Sequence, residues 1–245
     1  MNTNDTPSRW DGQSRLVHVT AGKAILEGTL DIPQGASGIV LFAHGSGSSR
    51  HSPRNRYVAQ ALGAGGLATL LIDLLTAEEE QVDRVTAHLR FDIALLARRL
   101  IGATDWLLQY PETERLRVGY FGASTGAAAA LVAAAERPDV VSAIVSRGGR
   151  PDLAGPALVR VRAPTLLIVG GLDYPVIAMN RDALAQLSVE KQLIIVPGAT
   201  HLFEEPGTLE QVADLARDWF VRNLAASTQE SLRLPGDADQ PQMRT

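Results

Sequence analysis

Val118-Gly119-Tyr120-Phe121-Gly122-Ala123-Ser124-Thr125-Gly126 is a short apolar run that ends in Gly-x-Ser-x-Gly, and the alanine-rich stretch 127–136 follows without a break. The pattern reads as a strand, a tight turn and a helix, the context of a nucleophile elbow. Ser124 then sits on a sharp turn that lifts its hydroxyl above the sheet. Gly122 and Gly126 carry no side chain, so strand and helix can close up around it. The helix begins beneath the serine, and its unpaired N–H groups favour negative charge there. Gly-x-Ser-x-Gly alone occurs in many unrelated loops. The strand before it and the helix after it give it meaning.

Outward from this stretch the same alternation repeats. Residues 38–43, 68–72, 140–145, 165–169 and 192–196 are apolar runs of the kind that form strands buried on both faces. Helical spacing is expected over 57–62, over 91–108 (Ile93, Leu96, Ala97, Leu100, Ile101), over 181–187 and over 208–224 (Leu209, Val212, Leu215, Phe220). Glu78, Glu79 and Glu80 read as a solvated loop or a helix start. Near the N-terminus, residues 16–19 and 24–30 alternate about Ala21-Gly22-Lys23, which predicts an antiparallel hairpin.

Strands alternating with helices predict an α/β fold: a mostly parallel, doubly wound sheet with helices on both faces. No repeat or linker divides it, so a single domain over 15–225 is expected. A flexible N-terminus, 1–14, and a polar, disordered tail, 226–245, flank it.

Composition narrows the function classes. Of 245 residues, 45% are hydrophobic and 20% charged, which is ordinary for a globular domain, and the net charge of −4 argues against a nucleic-acid partner. Cysteine is absent, which excludes disulfides, thiolate metal sites and a cysteine nucleophile. The polar first residues do not resemble a secretory signal, and no apolar run approaches the roughly 18 residues of a membrane span. A cytoplasmic location with no membrane partner is the expectation.

In an open parallel sheet the loops at the C-terminal strand ends build the site. Four such loops carry chemistry: His44-Gly45-Ser46-Gly47, the turn at Ser124, Asp173 and His201. A serine hydroxyl needs a base to take its proton, and a histidine base needs a carboxylate to fix its tautomer. Ser124, Asp173 and His201 occur in the chain order of this elbow type, each just after its own strand. Ser124 or Asp173 as simple helix caps, and His201 as a packing residue, are the blander readings. Glu204 and Glu205 beside His201 suggest a metal, but a single histidine with no further ligand in reach argues against one. The backbone N–H groups of Thr125 and Ser46 are the expected oxyanion donors, with Gly45 or Gly47 as substitutes for Ser46. His44 is read as a loop brace, Asp73 and His18 as structural, and His88 as solvated. His51 is a candidate for the mouth of the site.

The segments Phe42-Ala43-His44-Gly45-Ser46-Gly47-Ser48-Ser49, Gly122-Ala123-Ser124-Thr125-Gly126, Gly170-Gly171-Leu172-Asp173 and Gly198-Ala199-Thr200-His201-Leu202-Phe203 together resemble the α/β-hydrolase superfamily, and within it the dienelactone-hydrolase-like branch. The resemblance spans 38–224. It implies an ester hydrolase without a cofactor, with Ser124 as nucleophile, His201 as base, Asp173 as orienting acid and the Ser46 and Thr125 N–H groups as oxyanion hole. Dienelactone hydrolases proper carry cysteine where this chain has Ser124, which favours plain carboxylic esters over lactones. Similar chains are also fused to a phosphoribosyltransferase-like domain, and the expectation from the length of these 245 residues is that they hold the hydrolase-like domain alone.

The short span between Ser146 and the strand at 165–169 leaves little space for a lid, so an open site for compact acyl groups is expected. Arg147 and Arg150 lie in that span and are candidates for binding a substrate carboxylate. The resulting expectation is a serine hydrolase of small carboxylic esters, of unknown oligomeric state. Thioesterase, amidase and perhydrolase chemistry use the same triad, and a non-catalytic ligand-binding protein of this fold is the contrasting class.

Overall fold

The computed structural model describes residues 14–225. The terminal segments read as flexible, 1–14 and 226–245, lie outside these residues except for Ser14, whose hydroxyl donates to Asp31 Oδ1 at 2.7 Å.

Strands β1 (Arg15–Ala21) and β2 (Ala24–Asp31) form the expected antiparallel hairpin, with Gly22 at φ 64° in its turn. The remaining elements are β3 (Ile39–Ala43), α1 (Pro53–Ala64), β4 (Ala68–Ile72), α2 (Ala77–Thr86), α3 (Ile93–Leu107), β5 (Val118–Ala123) and α4 (Thr125–Glu136). They continue with β6 (Val141–Arg147), β7 (Thr165–Gly170), α5 (Tyr174–Gln186), β8 (Lys191–Val196) and α6 (Thr208–Leu224). Two 3-10 segments, Leu89–Phe91 and Pro151–Arg160, fill connections, the second broken at Gly155. The eight strands form one sheet in the order β1-β2-β4-β3-β5-β6-β7-β8. From β4 to β8 every neighbouring pair is parallel, and β2 joins antiparallel to β4.

Each central strand feeds two cores. Ile39, Leu41 and Ala43 of β3 point to the face covered by α3 and α4, whereas Val40 and Phe42 point to the face covered by α1 and α6. This is why those runs are apolar without alternation. On α6, Val212 and Phe220 are fully buried, and Leu209 and Leu215 pack partly buried against the same core.

Two helices start earlier than the sequence reading, and a third start agrees with one of its two alternatives. Helix α1 begins at Pro53 rather than 57, because the Ser52 side chain accepts from Asn55 N and proline suits a first helical turn. Helix α5 begins at Tyr174 rather than 181; Pro175 sits in its first turn, where the missing N–H costs nothing. The acidic run at 78–80 belongs to α2, opened by a reciprocal capping box between Thr76 and Glu79.

Helix α3 crosses β1 at Gly102, where an added Cβ would lie 2.5 Å from the Ala21 Cα. Alanine is favoured over glycine in a helix by roughly 1 kcal/mol, yet here the close approach wins. Gly102→Ala is therefore expected to destabilise the fold by about 1–3 kcal/mol, read as a lower urea midpoint with an unchanged m-value. A midpoint that rises would show that the helix–strand contact relaxes freely.

Candidate active site

The turn between β5 and α4 is as tight as the glycines allow. Ser124 has φ 50° and ψ −120°, a conformation that costs a non-glycine residue of order 1–3 kcal/mol. A Cβ on Gly122 would lie 2.4 Å from the Ala127 Cα, and one on Gly126 would lie 2.2 Å from the Ala43 carbonyl oxygen. Gly45 abuts the serine itself, since a Cβ there would sit 3.0 Å from Ser124 Cβ. The strained turn is held by neighbours: Ser124 N donates to Arg147 O at 3.3 Å, and Ser124 O accepts from Arg150 N at 3.1 Å.

Asp173 and His201 arrive on loops stitched together by their backbones. Gly171 N donates to Val196 O at 2.8 Å and Leu172 N to Ala199 O at 2.9 Å. Gly170 packs against the Ala199 and Thr200 carbonyls, where any Cβ would clash at 2.5 Å. Asp173 stands at the N-cap position of α5 yet makes no side-chain cap bond. Its Oδ2 instead meets His201 Nδ1 at 2.6 Å. Asp173 is largely buried while His201 is 39% exposed, so the imidazole presents its other edge outward. Glu205 accepts from Thr200 N at 3.0 Å and bonds the turn before His201, and those Thr200 bonds lower its pKa. Glu204 pairs with Arg54 at 3.2 Å. Both carboxylates thus have partners, and among the described residues no cluster of three histidines or acids is placed to hold a metal.

Ser124, Ser46, Arg147 and His201 line one cavity of about 260 Å³, together with Arg54 and Leu202. That volume lies at the small end of ligand sites. The Gly45–Ser46 peptide at its rim is held at both ends. His44 Nδ1 lies 3.0 Å from Gly45 O, Ser48 N donates to Gly45 O at 3.1 Å, and Ser46 N donates to Thr125 Oγ1 at 2.9 Å. His44 Nε2 accepts from Leu74 N at 3.1 Å, which leaves the proton on Nδ1 for the Gly45 carbonyl. Burial lowers the His44 pKa and keeps the ring neutral. The sequence reading of His44 as a brace therefore has a specific content: it fixes one peptide plane. The Ser46 N–H, expected to be a free donor, is engaged by the Thr125 hydroxyl.

Two other expected substrate-binding residues lie elsewhere. His51 is exposed and lines a separate cavity beside Arg50 and Gln60. Arg150 is tied bidentately to Asp152 at 2.9 and 2.8 Å, which raises its pKa, and only its backbone supports Ser124. Asp73 pairs with Arg50 at 2.6 Å, in keeping with a structural role.

Arg147 is the residue with the least ordinary surroundings. It is 7% exposed, and among the described residues no carboxylate pairs with it. Among the described residues its one side-chain hydrogen bond is a long one to Asn55 Oδ1 at 3.4 Å, its Nε is unpartnered, and its guanidinium lies 5.9 Å from the Phe203 ring centroid. Burial, with the nearby Arg54 charge second, brings its pKa down to about 10, so it remains cationic at neutral pH. Sequence reasoning missed Arg54, Asn55 and Ser52. The Ser52-Pro53 pair, a cap followed by a first-turn proline, is the signal that places all three at a helix start.

The sequence profile of the dienelactone hydrolase family matches residues 26–226. A crystal structure of dienelactone hydrolase from Anabaena variabilis is 68% identical, with TM-score 0.86 over 87% of this chain and 99% of that one. Est1E from Butyrivibrio proteoclasticus shares the fold, with TM-score 0.71 at 16% identity over 86% of this chain and 99% of that one. A Mycobacterium tuberculosis protein named as a phosphoribosyl transferase is 62% identical over 208 residues, 85% of this chain and 46% of that protein. The chain thus spans about half the length of the curated relatives it matches most extensively.

A buried guanidinium without a counter-ion destabilises the fold that holds it. Arg147→Met, unbranched, flexible and apolar, is expected to stabilise the protein by about 1–3 kcal/mol, measured by urea denaturation at neutral pH and low phosphate. A loss of stability of that size would mean that the Asn55 and Phe203 contacts outweigh the cost of burying the charge.

Proposed function

The chain belongs to the dienelactone hydrolase family, and from that membership we propose that it is a serine hydrolase that cleaves small carboxylic esters through an acyl-enzyme. The observation that carries the reading is the 2.6 Å bond between Asp173 and His201 beside a serine on a strained turn in the same cavity. Such a bond puts the His201 proton on Nδ1 and leaves Nε2 as the base. Ser124 Oγ attacks the ester carbonyl carbon as His201 takes its proton. The imidazolium that forms is stabilised by Asp173 and returns the proton to the departing alcohol. Water then attacks the acyl-enzyme with His201 again as base, and Ser124 is released.

The negative oxygen of each tetrahedral intermediate needs donors in place beforehand. Thr125 N–H, the first of α4, has no intrahelical acceptor and is assigned to it. Ser46 N–H is assigned as the second. Its bond to the Thr125 hydroxyl holds the amide in the resting enzyme, and a charged oxygen is the stronger acceptor once it develops. The Gly45 carbonyl stays clamped by His44 and Ser48, so the peptide keeps its orientation through the exchange. The cavity volume favours short acyl groups, and we assign the activity to residues 15–225. The transferase name belongs to relatives about twice the matched length and is not proposed for this chain.

Hydrolysis of a chromogenic ester series, from acetyl to long acyl, is the direct test. The wild type is expected to favour the shortest esters, Ser124→Ala to lose turnover, and Asp173→Asn to lower kcat by several orders of magnitude, about 10⁴-fold, with KM little changed. Equal turnover by Ser124→Ala and wild type would remove the basis for this function.

A further inference from the structure

Two guanidinium groups and one helix end converge on the wall of the Ser124 cavity, and the described residues supply them with too little negative charge. Arg147 enters from the end of β6 and has no acidic partner. Arg54 enters from the first turn of α1, and its carboxylate partner is Glu204, a side chain 64% exposed at the rim. The Nε atoms of both arginines are buried without a hydrogen-bond partner. Ser52, the N-cap of α1, lines the same cavity, so the positive end of a 12-residue helix faces it as well. Like charges side by side repel one another, and folding alone gives no reason to bring them together.

We propose that Arg147, Arg54 and the N-terminus of α1 form a subsite for a phosphate monoester carried by the ester substrate. This rests on the serine-hydrolase reading for its place beside the scissile bond, but its binding chemistry stands on these residues alone. A planar monocarboxylate, with two oxygens and one charge, is satisfied by a single arginine fork. A phosphate monoester carries about −1.5 to −2 charges at neutral pH and three acceptor oxygens. It matches two guanidinium groups and a helix end in both charge and number of donors. The phosphate acts as a handle: the bond that breaks is the carboxylic C–O bond at Ser124, and every bond to phosphorus is kept. Phe203, in a left-handed backbone conformation at φ 56°, presents its ring to the Arg147 guanidinium at 5.9 Å from the centroid.

The probes are inorganic phosphate and acetate, each tested at one ionic strength as an inhibitor of p-nitrophenyl acetate hydrolysis and, in parallel, by calorimetric titration of the enzyme. Phosphate is expected to raise KM and leave kcat unchanged. It is expected to bind roughly tenfold more tightly than acetate, with a calorimetric Kd that agrees with its inhibition constant. Arg147→Met and, separately, the less buried Arg54→Met are each expected to weaken phosphate binding by roughly tenfold or more. Turnover of the ester with neither heat nor inhibition from phosphate overturns the subsite and leaves the hydrolase reading standing. Acetate binding as tightly as phosphate overturns the assignment to phosphate, and unchanged phosphate affinity in both variants overturns the assignment to these arginines. Phosphate binding by a wild type inert toward every ester supports the subsite and removes the hydrolase reading.

Discussion

The site depends on one close approach between backbones. A side chain at residue 126 would place a carbon 2.2 Å from the Ala43 carbonyl oxygen and 2.5 Å from that of His44. Glycine there lets the first turn of α4 press against the end of β3, and the Gly45–Ser48 loop comes within reach of Ser124 as a result. The same contact brings Thr125 Oγ1 to the Ser46 amide. The cost of the left-handed Ser124 backbone is met by packing around it. Helix α4 is built mainly from alanine, and nearly all of it is buried between the sheet, α3 and the Pro151–Arg160 segment. Small side chains let that helix lie close to the strands, which keeps the turn tight.

Electrostatics divides the cavity into unlike parts. On one side Asp173 is spent on His201, and the pair needs no external partner. On the other, Arg147 is buried with a single weak hydrogen bond. His44 shows the opposite solution to burial: the ring stays neutral, and both its nitrogens are hydrogen-bonded in a way that leaves no charge to compensate. The cavity therefore couples a rigid, neutral brace on one loop with a charged wall on the next.

The elements most legible in the sequence were those whose local rule and tertiary role agree. Residues 118–126 combine a buried strand, two glycines at the positions of closest approach and an apolar helix, so strand, turn and helix follow from the residue types. The hairpin at β1 and β2 was legible for the same reason, through alternation about Gly22. Helix α5 was harder to read. Its first turn contains Pro175, which looks like a breaker until the preceding aspartate is known to stand at the N-cap. Arg54 precedes the apolar part of α1 and has the pattern of a solvated helix residue, and nothing local marks it as cavity wall.

Sequence by itself determined the alternation of elements, the single, mostly parallel sheet and the order in which a serine, an aspartate and a histidine follow their strands. These depend on patterning along the chain, which is a local property. Tertiary structure alone decided which side chains meet: Asp173 turning from its helix to His201, the Ser46 amide held by Thr125, and Arg147 left without a counter-ion among the described residues. Each of these depends on distances between loops that are far apart in sequence, and those distances are set by sheet order and by how closely glycine lets backbones approach.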